Sequence, residues 1–208
     1  MLRTCLRPLA GGLLVTILLV ATASPGEARI VRGHSHDGGF FLRLSGGLGG
    51  ADTGPEIQGD DPKLSGASGD LNIAIGGIVS PGLALHGTIW GWSVGDPELK
   101  WQQAEGWVPG DLSLSAIGGG VTYYFMPANL YLSGSLGFGT LSLDLEGAPL
   151  AESDTGLAMD LTVGKEWWVG ARWGLGVAGA FGFHNIPGDN GEDWSGKSVA
   201  IRFTATLN

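Results

Sequence analysis

Beyond Cys5 the 208-residue chain has no cysteine, so no internal disulfide can staple it. Charge is scarce as well. Only 15% of residues are charged, and 11 Lys and Arg face 20 Asp and Glu, a formal net charge of −9. That balance argues against nucleic acid, whose binding needs clustered cations to release counterions. After the first 30 residues no apolar run approaches the ~18 residues of a membrane helix. These shortages do not describe a disordered chain, because 43% of the residues are hydrophobic and 9% aromatic. Glycine is what the chain has in excess: 39 residues, far above the usual ~7% and without a collagen period. Each glycine costs roughly 1 kcal/mol in a helix interior relative to alanine, which excludes a mostly helical protein. The length points to one domain.

The N-terminus reads as a secretory signal peptide, residues 1–28. Arg3 and Arg7 precede an apolar run from Leu9 to Val20, followed by the small residues Ala21-Thr22-Ala23. Cleavage fits after Ala23 or after Ala28. Either cut removes Cys5, so the exported chain must be held together without disulfides. Residues 29–37 then form a lead-in, and residues 38–208 form the folded domain.

Within that domain, period-2 patterning recurs eight times. The apolar members are Phe40, Leu42, Leu44 and Leu48; Leu71, Ile73 and Ile75; Leu83, Leu85 and Ile89; and Leu112 and Leu114, continuing to Phe125. Next come Leu130, Leu132, Leu136 and Phe138; Leu157, Met159, Leu161 and Val163; Trp173, Leu175, Val177, Phe181 and Phe183; and Val199, Ile201, Phe203 and Leu207. The fourth segment is the least regular, because Gly118-Gly119-Gly120 interrupts it. Such alternation predicts amphipathic strands, and ~9–11 residues per strand suffice to cross a membrane.

Connection lengths alternate too. Ser80-Pro81-Gly82, Met126-Pro127-Ala128 and Gly170-Ala171 are tight turns. The other connections are long and polar, roughly 52–68, 93–111, 144–155 and 184–195. The pattern predicts an all-β fold: an eight-stranded antiparallel up-and-down transmembrane β-barrel with both termini at the short-turn end. The second face of each strand is built of Gly, Ala, Ser and Thr, which suits a narrow interior, so the bulky apolar set should face lipid. Arg43, Asp70, Asp160, Glu166 and Arg202 share the interior face and are expected to pair with one another, since lone buried charges are costly. Lys165 is expected to snorkel at the membrane boundary.

Aromatic residues gather at strand ends. Phe40, Phe41, Tyr123, Tyr124, Phe125, Tyr131, Trp167, Trp168 and Trp173 fall near the turn end, and Trp90, Trp92, Phe138, Phe181, Phe183 and Trp194 near the loop end. Two such belts are expected of a membrane girdle, where amphipathic rings sit at the headgroups.

With these features the chain resembles the small eight-stranded outer-membrane barrels of Gram-negative bacteria, the OmpA/OmpX-type family. The carriers are the alternation over Gly38–Asn208, Gly-Val-Thr-Tyr-Tyr-Phe-Met-Pro at Gly120–Pro127, and Gly-Lys-Glu-Trp-Trp-Val at Gly164–Val169. The resemblance implies residence in the outer membrane with periplasmic termini, contact with outer-membrane lipids and lipopolysaccharide, and insertion by the barrel-assembly machinery. Members commonly end in an aromatic residue that this machinery reads. This chain ends Thr206-Leu207-Asn208, with Phe203 its last aromatic.

Residues with possible chemistry are few. His34, His36 and Asp37 could clip a metal, but a solvated lead-in is the plainer expectation. His86 should be a hydrogen-bonded interior imidazole. Gly46-Gly47-Leu48-Gly49-Gly50 lacks the Lys-Ser/Thr of a phosphate loop. Some similar barrels modify lipid A, and His184, Ser195 and one of Asp189, Glu192 or Asp193 could form such a set. The long loops carry fifteen carboxylates against Lys63 and Lys100, a net −13. A solvated, repelling face is the simple reading, and divalent-cation bridging to lipopolysaccharide or capture of a basic partner the sharper one. No catalytic residue, metal or cofactor is expected. The function expected is a non-enzymatic scaffold that displays acidic loops; a narrow pore ranks second and a lipid A-modifying enzyme third.

Overall fold

A computed structural model describes residues 36–37, 39–55, 62–101, 104–145, 148–188 and 192–208. The expected signal peptide, Cys5 and His34 lie outside them, as do Glu56, Asp60, Asp61, Glu146 and Asp189. In chain order the strands are β1 (Gly39–Pro55), β2 (Lys63–Ser80), β3 (Leu83–Gly95), β4 (Glu98–Trp101), β5 (Ala104–Trp107) and β6 (Gly110–Phe125). They continue with β7 (Leu130–Leu145), β8 (Ala148–Glu152), β9 (Gly156–Trp168), β10 (Trp173–Pro187) and β11 (Asp193–Leu207). Eight of them pair in the cyclic order β1-β2-β3-β6-β7-β9-β10-β11, and β1 closes on β11 with Leu42 opposite Leu207. All the pairings are antiparallel. The result is the closed eight-stranded meander that the alternation predicts. Closure satisfies every wall strand's backbone groups, which a bilayer demands.

The apolar outer face is where a water-soluble barrel would carry polar residues. Leu48 is 78% exposed, Ile201 69% and Phe203 71%. At these exposures the rings and aliphatic chains gain nothing from burial in protein, so the solvent they fit is hydrocarbon. The belt has a sharp upper edge. Ile73, Ile89, Ile117 and Phe138 are successive cross-strand partners and face outward. Two residues further toward the loops, the same row reads Leu71, Gly91, Ser115 and Thr140, then Gly69, Ser93, Ser113 and Ser142.

Beyond that edge the strands continue. β2 is 18 residues long, about 60 Å at ~3.3 Å per residue; tilted by ~35–45° it rises about 45 Å, well past an apolar band of ~25 Å. The expected long loops are therefore largely walls: β4 and β5 form a hairpin that pairs with the start of β2, and β8 pairs with the end of β7. Here the polarity of the two faces changes. Leu112 and Leu114, expected on the lipid face, are buried inside the barrel, and Ser113 and Ser115 point out. Register is not the cause, since the β6–β7 ladder runs unshifted through the glycines. Above the bilayer the outer face meets water, so the apolar side chains turn inward to form an ordinary core. Ala51, Leu64, Trp92, Val94, Leu112, Leu114, Leu141 and Ile186 pack together there.

The interrupting glycines have a packing reason. Gly118 and Gly137 are cross-strand partners on the interior face, and a Cβ on either would come within 2.2 Å of a carbonyl oxygen of the facing strand. Only glycine lets the curved wall close this tightly.

Candidate functional site in the barrel interior

Three layers of side chains fill the lumen. At the loop end the apolar cluster surrounds His184, whose ring lies 5.9 Å from that of Trp92. His184 Nε2 is 2.8 Å from the Thr53 hydroxyl, which donates its single proton to the Ser195 carbonyl at 3.3 Å. The imidazole Nε2–H is then the donor to Thr53. Ser195 enters this set through its backbone oxygen, and Asp193 is exposed at the rim. Among the described residues, His184 is thus held by a threonine inside the wall, and no Ser-His-acid set is assembled.

The middle layer is ionic. Arg202 on β11 lies between Asp70 on β2 and Asp160 on β9, each side chain only 3–4% exposed. Its Nε bonds Asp70, its Nη2 reaches Asp70 at 3.0 Å and Asp160 at 2.6 Å, and its Nη1 reaches Asp160 at 2.9 Å and Thr162 at 3.0 Å. All five guanidinium donors are used. Asn72 and Thr162 each donate to Asp160 Oδ1, at 3.4 and 3.0 Å. One cation holds two carboxylates, so the layer keeps a net charge of −1 and depends on Arg202.

Toward the turn end, Arg43 and Glu166 form no ion pair with each other or with the middle layer, contrary to the expected single network. Arg43 Nη2 donates to Ser133 at 2.7 Å, and its guanidinium lies 4.6 Å from the Tyr131 ring centroid and 5.6 Å from that of Phe41. The polar chain extends from Ser133 to Thr122 at 2.8 Å and on to His86 Nε2 at 3.0 Å. Glu166 Oε1 accepts from Thr206 at 2.6 Å and from Tyr124 at 3.5 Å. Aromatic faces and a hydroxyl contact the Arg43 guanidinium directly, and Glu166 acts on it only through the field across the layer.

The aromatic girdle is thinner than expected. Tyr123, Phe125, Trp167 and Phe183 are exposed on the outer face, with Trp173 and Phe181 partly covered. Lys165 sits outside among them, 5.4 Å from the Trp167 ring, and donates to the Ala128 carbonyl. Trp90, Trp92, Tyr124 and Tyr131 instead point into the lumen, at most 4% exposed, and Trp168 is half-buried under the turn-end mouth. Strand-end position is common to both faces, and only parity separates a girdle ring from a lumen ring. Gly164 shows the cost of admitting them: a Cβ there would come within 2.5 Å of the Tyr131 ring.

His36 also departs from expectation. It lies outside the strands, yet it is 1% exposed and stacked on Tyr124. Burial lowers its pKa below the ordinary 6.5, while hydrogen bonding with Asn129 and Asn208 and the charge of Asp37 work the other way. No local pattern around His36 signals this burial, since the ring that receives it, Tyr124, is far along the chain.

At the rim the outward residues are mixed. Asp111 faces Asp144 across the β6–β7 ladder, Asp52 faces Lys197, and Lys63 faces Lys100. Lys100 pairs with Glu98 at 3.2 Å in the open. Among the described residues, no group of three or more His, Cys, Asp or Glu is placed to hold a metal ion.

This is a transmembrane β-barrel with a filled lumen. No protein-family model and no curated protein matches the chain. Among solved structures it is similar to Neisserial surface protein A, with a TM-score of 0.58 and 15% identity over 82% of this chain and 97% of that one. It also matches outer membrane protein OprG from Pseudomonas aeruginosa, with a TM-score of 0.48 and 13% identity over 83% and 98% of the two chains. A third match is Ail of Yersinia pestis in complex with the heparin analogue sucrose octasulfate, with a TM-score of 0.45 and 9% identity over 82% and 99%. At such identities the likeness is one of fold: the small eight-stranded barrel of outer-membrane proteins.

Proposed function

We propose that this protein is a non-enzymatic scaffold of a bacterial outer membrane, closed to solutes, that carries an acidic rim and hairpins at the cell surface. The observation behind this reading is the inverted barrel itself: an apolar outer belt around a lumen stacked with an apolar cluster, an ionic layer and an aromatic base. A signal peptide ending at residue 23 or 28, periplasmic termini and insertion by the barrel-assembly machinery belong to the same proposal. β1 begins and β11 ends beside the short turns, the end that faces the periplasm in such barrels. The loops would meet lipopolysaccharide, with divalent cations between its phosphates and the rim carboxylates. The facing Asp111 and Asp144 favour this, because like charges directly opposite each other repel unless bridged.

Expression in a Gram-negative host tests the placement. The reading expects the chain in the outer-membrane fraction as a heat-modifiable band. Protease added to intact cells should cut it in the β4–β5 hairpin, whose Trp107 is exposed, and nowhere near the short turns. Cleavage at Met126–Asn129 from outside the cell would reverse the orientation, and recovery from the soluble fraction would dismiss the membrane reading.

A further inference from the structure

At the upper edge of the apolar belt the outer wall is indented. Across β2, β3 and β6 a groove of about 390 Å³ opens toward the bilayer, a volume in the range of small-molecule sites. Its floor is Gly69 and Gly91. Leu71 and Ile89 border it on the belt side, each 56% exposed, and Ser93, Ser113 and Ser115 border it on the loop side. Gly91 makes the indentation possible. Its neighbours Trp90 and Trp92 point into the lumen, each 4% exposed, and a Cβ on the outward Gly91 would collide with the Leu114 carbonyl oxygen of β6. The wall is therefore concave on its outer side here. Gly179, which faces lipid on β10, has open space where its Cβ would be.

The groove is graded in polarity. Its lower border continues the hydrocarbon-facing belt, and its upper border offers hydroxyls, which both donate and accept. Backbone groups around it are committed to the β2–β3 and β3–β6 ladders, so the serines supply the polar contacts that the wall can give an outside molecule. Among the described residues no Lys or Arg lines it, and the exposed Asp111 stands two positions above Ser113 on the same face of β6. A phosphate seated here would meet a carboxylate instead of the cation it needs. What fits is a molecule that enters from the membrane, is apolar below, and carries neutral hydrogen-bonding groups at the depth of the belt edge.

We propose that the groove holds one acylated amino-sugar lipid of the outer leaflet. An acyl chain lies over Leu71 and Ile89, and the amide carbonyl and hydroxyls where that chain joins the sugar bond Ser93, Ser113 and Ser115. A phospholipid brings ester carbonyls to this depth but neither an amide nor sugar hydroxyls, so it binds less well. The site rests on the reading that the loop end lies at the cell surface, where such a lipid is found. It needs no divalent cation at the rim.

The test places the refolded chain, shown by gel shift to be folded, in phosphatidylethanolamine nanodiscs that carry a minor fraction of purified lipid A. EDTA is present, so cations at the rim contribute nothing. Both leaflets hold the lipid, so the outcome does not depend on which end of the barrel faces the cell surface. Native mass spectrometry should show one retained lipid A per barrel, enriched over phosphatidylethanolamine relative to the disc. Amide shifts on adding lipid A should centre on Gly69, Gly91 and Ser93 and spare Gly179. Gly69→Phe fills the groove from a position where a Cβ meets nothing, and it should lower retention about tenfold. The triple variant Ser93→Ala, Ser113→Ala, Ser115→Ala should lose a similar factor, the worth of one or two hydrogen bonds. Gly179→Phe should retain lipid A like the wild type. Retention by Gly69→Phe or by the triple variant equal to that of the wild type would overturn the proposal. So would phosphatidylethanolamine retained as well as lipid A, which would make the groove a seat for any acyl chain.

Discussion

Arg202→Met is the substitution with the largest expected effect per atom changed. The wild-type guanidinium spends all five donors on Asp70, Asp160 and Thr162, and both carboxylates are nearly sealed from water. Methionine fills most of the volume but leaves two carboxylates facing each other in the lumen without a cation. Removing one partner from a buried pair costs about 3–5 kcal/mol, a large share of a typical stability of about 5–15 kcal/mol. The assay is urea unfolding in micelles, followed by strand circular dichroism and by the gel shift between folded and heated protein. With a slope of about 1–3 kcal/mol per molar urea, the midpoint should fall by more than about 1 M. The triple variant Arg202→Met, Asp70→Asn, Asp160→Asn removes the charges together and should recover most of the loss. A single variant within about 1 kcal/mol of wild type would refute the reasoning, as would a triple variant no better than the single one.

Trp92→Ala should cost about 3–5 kcal/mol by opening a cavity in the loop-end cluster, whereas Phe203→Ala on the lipid face should cost less than half as much in the same unfolding assay. His36 also sets a pH dependence. Its folded pKa is lowered, so the unfolded chain binds more protons just below pH 6.5 and stability falls with pH through that window. The loss levels off below the folded value, and His36→Phe should lack this component in urea midpoints measured across the range. Calcium should slow external proteolysis of the wild-type loops and leave Asp111→Asn, Asp144→Asn unaffected; equal protection of both would remove the rim pair from any cation site. His184→Ala should leave the mass of host lipid A unchanged on expression, and a modification of lipid A that this variant abolishes would establish an enzyme.

The strand count, the closure and the outward face of the belt were readable because a bilayer imposes one rule, apolar out, on every residue between its surfaces. Leu48, Ile201 and Phe203 obey it without ambiguity. That rule ends at the membrane edge, and sequence does not mark the edge. Leu112 and Leu114 alternate like belt residues but stand above it, where an ordinary core reclaims them; Trp90 and Trp92 stand on the lumen parity of β3 throughout, and strand-end position alone does not reveal that. The charged lumen residues could be assigned to the interior by parity alone. Their pairing could not, since which of Asp70, Asp160 and Glu166 meets Arg202 depends on strand stagger around a closed barrel. His36 was the least legible: its partners, Gly82 of the β2–β3 turn and Tyr124 and Asn129 around the end of β6, come from two distant parts of the chain, and the histidine itself belongs to no strand.

The closed lumen is the centre of the account, and single-channel recording tests it most directly. The chain lacking its first 28 residues would be refolded, shown by gel shift to be folded, and inserted into a planar bilayer. The three packed layers predict no steady conductance from the folded barrel. Discrete, reproducible channel steps from the same preparation would contradict it and make Arg43, Asp70, Asp160, Glu166 and Arg202 the lining of a pore.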